Sequence, residues 1–118
     1  MVSKLRLPKV SALALSLALS SLLGTAHADD TASDEARYEL GRKVFAEQAV
    51  PSCTICHSLK DAGASGAIGP NLDDLKPTEE RVVAAVRNGV GVMPAFAASL
   101  SAEQIDAVAY YVSQVTAK

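Results

Sequence analysis

The chain has 118 residues, enough for one domain, and a formal net charge of −2 from 11 basic and 13 acidic side chains. That balance supplies no strongly basic face, which argues against a nucleic-acid partner. Two Phe, three Tyr and no Trp leave little aromatic bulk for a core, so a domain of this size calls for some additional staple.

In chain order, Lys4, Arg6 and Lys9 precede an uncharged run from Val10 to Leu23, and Ala26-His27-Ala28 closes it with a small-x-small pattern. Residues 1–28 are therefore expected to be a secretory signal peptide cleaved after Ala28, leaving one domain over 29–118. The run is short for a membrane span, Asp29-Asp30 follow it directly, and no Cys opens the remaining chain for a lipid. The expectation is a periplasmic protein with no membrane anchor after cleavage; an uncleaved N-terminal anchor is the alternative. Cleavage removes three cations and no acid, taking the net charge from −2 to −5.

A first helix is expected from about Asp34 to Glu47, with Asp34 and Glu35 at its positive end. Leu40, Val44 and Phe45 form its apolar stripe, and Gly41 lies on the same face. A glycine inside a helix costs up to about 1 kcal/mol relative to Ala, so it needs a packing reason such as the close approach of another helix.

Without the leader, the chain keeps two Cys (Cys53 and Cys56), one His (His57) and one Met (Met93). A closed zinc site needs four ligands of the Cys or His type, a thioredoxin-like pair needs a βαβ setting, and a disulfide across so short a loop stabilises little. What remains is C-x-x-C-H as the attachment site of one covalently bound haem c. The two thiols, about one helical turn apart, reach two vinyl groups on one edge of the porphyrin. His57 then presents its imidazole to the iron.

From Ser58 to Pro77 the glycines and prolines indicate a loop wrapped over the cofactor. Within it, Gly69-Pro70-Asn71-Leu72 has two readings. A metal-bound His donates its other ring N–H to a carbonyl or carboxylate, and the Pro70 carbonyl is a candidate; an ordinary surface turn is the other reading. A second helix is expected from Glu79 to Asn88, capped by Thr78 and ended by Gly89, with Val82, Val83 and Val86 on its buried face. Met93 follows in a Gly/Pro loop, where Gly89, Gly91 and Pro94 allow tight turns. Its thioether is the favoured second iron ligand, and a gap-filling core Met is the other reading. The last helix runs from Ala102 to about Val115, started by a Ser101–Gln104 capping box. Ile105, Val108, Val112 and Val115 repeat at helical spacing with Tyr111 beside them. With no alternating strand pattern, the fold class is all-α, three to four helices around one haem.

Gly41-x-x-x-Phe45, Cys53-Thr54-Ile55-Cys56-His57, Gly69-Pro70-Asn71-Leu72, Met93-Pro94 and Ala109-Tyr110-Tyr111-Val112 together resemble the class I (mitochondrial-type) monohaem cytochromes c of bacterial size, over about Leu40 to Val115. The resemblance implies a cytochrome c-like fold whose first and last helices cross near Gly41, with Tyr111 or Tyr110 packed there. It implies that the Pro70 carbonyl accepts the His57 ring N–H and that His57 and Met93 are the axial ligands. More narrowly, the compact loop and the Val90-Gly91-Val92-Met93-Pro94 context resemble the small electron acceptors or haem subunits of periplasmic sulfite dehydrogenases.

An iron closed by His57 and Met93 has no open position for a substrate, so the expected role is a carrier of single electrons and not an enzyme. The thioether raises the potential. The electron is expected to cross the haem edge, rimmed by the Cys53 region and by Val92, Ala95 and Phe96. The donor would be a periplasmic dehydrogenase and the acceptor a terminal oxidase or another cytochrome, met as a monomer in weak, transient complexes. The alternatives are a haem-bearing subunit of an oxidoreductase complex, a subunit with haem as a structural staple, or a five-coordinate haem enzyme or gas sensor with Met93 as core. No His or Arg donor stands in the sequence around Met93; Arg87 is the nearest basic residue upstream. Lys60, Lys76, Asp73 and Asp74 are expected to be solvated loop residues.

Overall fold

The computed structural model describes residues 26–118, with side chains from Asp30 onward. The leader expectation falls mainly on residues 1–25 and so lies outside the described residues. Among the described residues no helix is long and apolar enough to cross a membrane.

The glycine inside the first helix has its packing reason. Helix α1 spans Ala26–Lys43, beginning earlier than the expected Asp34, and continues as one π-helical turn over Val44–Gln48. The last helix, α5, spans Ala102–Thr116 and is started by the reciprocal Ser101–Gln104 capping box, at 3.1 and 2.9 Å. Where α1 crosses α5, a Cβ at Gly41 would overlap the Ala107 carbonyl oxygen and come within 2.6 Å of Tyr111 Cβ. Only the absence of a side chain lets the two backbones approach this closely.

Of the two tyrosines, Tyr111 is the one packed at the crossing. It is fully buried, with its ring edge-on to Tyr38 at 5.2 Å and to Phe45 at 6.0 Å. Its hydroxyl donates to Asp61 Oδ2 at 2.7 Å, and the Tyr38 hydroxyl donates to the same oxygen at 3.2 Å. Tyr110 instead carries the Arg37 guanidinium 4.4 Å from its ring centre. Arg37 is also ion-paired with Glu79 and donates to the Asp106 carbonyl at 3.4 Å. One side chain of α1 thereby touches both helices that enclose the other side of the core.

The segment 58–77, expected to be plain loop, holds three short elements, and a fourth precedes it. Helix α2 is the single turn Cys53–Cys56, α3 is the single turn Leu72–Leu75, and β1 (Ser58–Leu59) pairs antiparallel with β2 (Ala64–Ser65). The small hairpin departs from the strand-free expectation and leaves the all-α class intact. It forms because Gly63 adopts φ 61°, closing a turn onto the Lys60 carbonyl at 3.0 Å, and Ser58 Oγ donates to the Gly66 carbonyl at 2.8 Å. Asn71 caps α3 by accepting from the Asp73 amide at 3.0 Å.

Two of the residues expected to be merely solvated have partners. Asp73 accepts the Lys60 backbone N–H at 2.9 Å, and Lys76 Nζ reaches the Lys118 carbonyl at 3.2 Å. Helix α4, Glu79–Asn88, starts with Thr78 Oγ1 accepting from the Arg81 amide and ends at Gly89 with φ 72°. Its Val86 is buried between α5 and the loops, with Val82 and Val83 half-buried beside it.

Candidate functional site

The single turn of α2 places Cys53 and Cys56 three residues apart, on one face of the helix. Ser52 caps it from both sides: its Oγ accepts from the Thr54 amide and lies 3.0 Å from the Ala46 carbonyl, which fastens α2 to the end of α1. His57 follows as the C-cap, in extended conformation, its amide donating to the Cys53 carbonyl at 3.0 Å. The chain leaves the helix here, so the imidazole projects into the same space as the thiols.

That imidazole is held on two sides. Its Nδ1 lies 2.9 Å from the Pro70 carbonyl oxygen. A carbonyl can only accept, so Nδ1 carries the hydrogen and Nε2 keeps a free lone pair. Gly69 packs flat on the ring: a Cβ there would lie 2.6 Å from His57 Cε1. The Gly69 amide donates to the Cys56 carbonyl at 2.8 Å, and Gly66 lies as tightly on the Cys56–His57 peptide, so the loop 66–70 is clamped to α2.

Met93 lines the same cavity as His57 and starts from a closed turn. Val90 and Met93 exchange both backbone hydrogen bonds, at 3.1 and 3.0 Å, around Gly91 with φ 59°. Gly89 must be bare as well, since a Cβ would lie 2.6 Å from the Met93 carbonyl oxygen. The Phe96 amide then donates to the Val86 carbonyl at 2.8 Å, pinning the loop to α4. These bonds fix where the half-buried thioether begins.

Cys53, Cys56, His57, Pro70 and Met93 all line one cavity of about 510 Å³, with walls built by Phe45, Leu72, Val82, Val86, Val108 and Val112 among others. The volume lies in the range of roughly 300–1,000 Å³ typical of small-molecule sites. Burial pushes the Cys53 thiol up to about 11, against its ordinary value. A dithiol redox catalyst needs the opposite shift, towards a thiolate at neutral pH. The donor set instead suits haem c: two cysteine thiols on one short helix, an oriented imidazole nitrogen and a thioether, all lining one largely apolar cavity.

The rim differs from the sequence expectation at one residue. Val92 and Ala95 are exposed, Val92 to 86 %, but Phe96 is buried and forms wall, because its amide is tied back to α4. The other exposed large apolar side chains among the described residues are Val50, Ile55, Ile68 and Val90. Ile68 and Val90 line the cavity, Val50 adjoins the lining residue Pro51, and Ile55 lies between the two cysteines.

Sequence reasoning missed Arg81, which also lines the cavity. Its signal was present: Arg81 and Ala85, like Val82 and Val86, are four residues apart, so a helix places them on neighbouring stripes. It missed Asp61 too, whose role depends on two tyrosines 23 and 50 residues away.

A family model described as cytochrome c oxidase, cbb3-type, subunit III matches residues 36–112. Cytochrome c6 of Leptolyngbya boryana is 41% identical over 76 residues, which is 61% of this chain and 85% of that protein. Cytochrome c6 of Microcystis aeruginosa is 40% identical over 65 residues, covering 52% of this chain and 80% of that protein. The menaquinol:cytochrome c reductase cytochrome c subunit of Bacillus subtilis (strain 168) is 40% identical over 80 residues, 66% of this chain but 29% of that protein. Among solved structures, the c-type cytochrome SorU from Sinorhizobium meliloti superposes with a TM-score of 0.68 at 54% identity, covering 71% of this chain and 95% of that one.

Proposed function

Because this chain belongs to the monohaem class I cytochromes c, electron carriers with one covalently bound haem c, we propose that it is a periplasmic one-electron shuttle whose haem is joined to Cys53 and Cys56 and held between His57 and Met93. One observation carries the reading: both thiols, the imidazole and the thioether line a single apolar cavity of about 510 Å³.

When bound, haem c supplies a one-electron couple between ferric and ferrous iron. The chain's own residues set the terms. Pro70 holds the hydrogen of His57 on Nδ1 and leaves Nε2 to ligate. The Val90–Met93 turn holds the thioether on the other side. The valines and Phe45 exclude water and disfavour the more highly charged oxidised centre, and the soft sulfur acts in the same direction, so the midpoint potential is high. His57 and Met93 would hold the iron between them, leaving it no place for a substrate, so electrons would cross by outer-sphere contact.

The apolar rim of Val50, Ile55, Ile68, Val90 and Val92 is where a redox partner docks. A periplasmic dehydrogenase is the donor, and a terminal oxidase or another cytochrome the acceptor. The Val90–Pro94 context supports a sulfite dehydrogenase as that donor. Export with cleavage after Ala28 belongs to the same proposal. A second reading has one observation in its favour: the chain is similar to 29% of a longer Bacillus subtilis protein, the menaquinol:cytochrome c reductase cytochrome c subunit. On that reading the chain is the haem-bearing subunit of a periplasmic complex.

The test uses protein isolated from the periplasm. An intact mass equal to residues 29–118 plus one haem, a one-electron redox titration and a ferrous form that does not bind CO are the expected results. A wild-type protein that binds CO readily, or carries no haem, contradicts the proposal.

A further inference from the structure

We propose that Arg81 is the cation that holds a haem propionate at the mouth of the cavity. Haem carries two carboxylates, and an ionised carboxylate left against an apolar wall without a partner is strongly disfavoured. The cavity offers them few partners. Apart from His57, which the Pro70 carbonyl already fixes, Arg81 is, among the described residues, the one lining the cavity with an ionisable basic side chain. Ser52 is also at the wall, but its hydroxyl is engaged with the Ala46 carbonyl and Thr54.

Arg81 is available for that role. Among the described residues its guanidinium has no hydrogen bond or ion pair; only its backbone amide is used, by Thr78. The two acids that precede it are occupied: Glu79 is ion-paired with Arg37, while hydrogen bonds from its own backbone amide and from Thr78 hold the Glu80 carboxyl below its ordinary value. Arg81 is exposed, so its charge stays in water at the lip while its stem lines the wall. In haem the carboxylates stand on the edge opposite the vinyl groups. With the vinyl edge bound at α2, their counter-charge has to come from another element, and α4 carries one. A guanidinium suits the task because its planar fork matches a carboxylate with two parallel N–H donors. Arg87, on the same helix, is turned instead towards Asp106 at 3.9 Å and does not line the cavity.

The proposal rests on haem lying in this cavity, which the intact mass and visible spectrum of each holoprotein establish separately. The test compares wild type with Arg81→Gln, Arg81→Lys and Arg87→Gln at low salt, each with 13C-labelled haem carboxyls. The midpoint potential and the labelled carboxylate band in redox-difference infrared spectra are the readouts. Arg81→Gln is expected to lower the potential, since a cation that favours the added electron is lost, and to shift the labelled band. Arg81→Lys keeps the potential nearer to wild type, and Arg87→Gln moves neither readout. A holoprotein Arg81→Gln with wild-type potential and band overturns the proposal, as does an equal change in Arg87→Gln, which would mark a general charge effect.

Discussion

The hydrogen on Nδ1 of His57 decides what that residue can do. Pro70 fixes it there, and Gly69 supplies the flat surface on which the ring rests. In Gly69→Ala the new methyl stands 2.6 Å from Cε1, so either the ring or the loop must move. The expected outcome is a lower haem content per protein and a lower midpoint potential, read from the ratio of haem to protein absorbance and from a redox titration. Tyr111 makes a second prediction. Burial and the hydrogen bond to Asp61 raise its phenol above the ordinary tyrosine value, so the folded state holds that proton more tightly. Its contribution is fully present below pH about 10, where the unfolded phenol titrates, and is lost as the pH rises beyond that. Tyr111→Phe should cost about 1 kcal/mol at neutral pH, because the exposed Asp61 end is screened. The variant should also lose less stability than wild type above pH about 10, as urea unfolding at stepped pH will show. At this scale the sequence was most legible where chemistry is scarce. Outside the expected leader, one His, one Met and two Cys leave few ways to bind a metal, whereas Asp61 looks like any loop acid until the fold brings Tyr38 and Tyr111 to it.

Between α1 and α5 the contact is set by one missing side chain. A methyl at residue 41 would meet the Ala107 carbonyl and Tyr111 Cβ, both on a helix that cannot yield locally. Gly41→Ala should therefore destabilise the holoprotein by about 2–3 kcal/mol in chemical unfolding, despite the better helix propensity of Ala. An unchanged midpoint of unfolding would contradict the close crossing. The long elements were legible because capping and apolar spacing act over ten or more residues: α4 has the expected Glu79–Asn88 bounds, and α5 begins at its expected capping box. The elements α2, α3 and the β1–β2 hairpin were not, since two to four residues are too few for a hydrophobic period to appear. They exist through Ser52, Asn71 and Gly63, each acting on its immediate neighbours. The same limit placed Phe96 on the rim; the bond from its amide to Val86, ten residues away, is what turns it inward.

Across the whole molecule, an acidic chain presents a largely apolar rim around the cavity, broken by Arg81. Of the exposed apolar side chains, Ile68, Val90 and Val92 line the cavity, and Val50 and Ile55 are sequence neighbours of lining residues, while among the described residues the ion pairs Arg37–Glu79, Arg42–Glu39 and Arg87–Asp106 stand elsewhere on the helices. A docking face of this kind steers partners weakly by charge and forms small, quickly released contacts. The bimolecular rate of electron transfer with a physiological partner should thus change less than about threefold between roughly 0.01 and 0.15 M salt, whereas charge-steered pairs fall steeply. Everything in this picture depends on Met93 closing the iron opposite His57. The ferric absorption spectrum tests that most directly. Wild type should show the sulfur-to-iron charge-transfer band and a ferrous form inert to CO; Met93→Ala should lose the band and gain CO binding. A wild type without the band that binds CO as readily as Met93→Ala would contradict it.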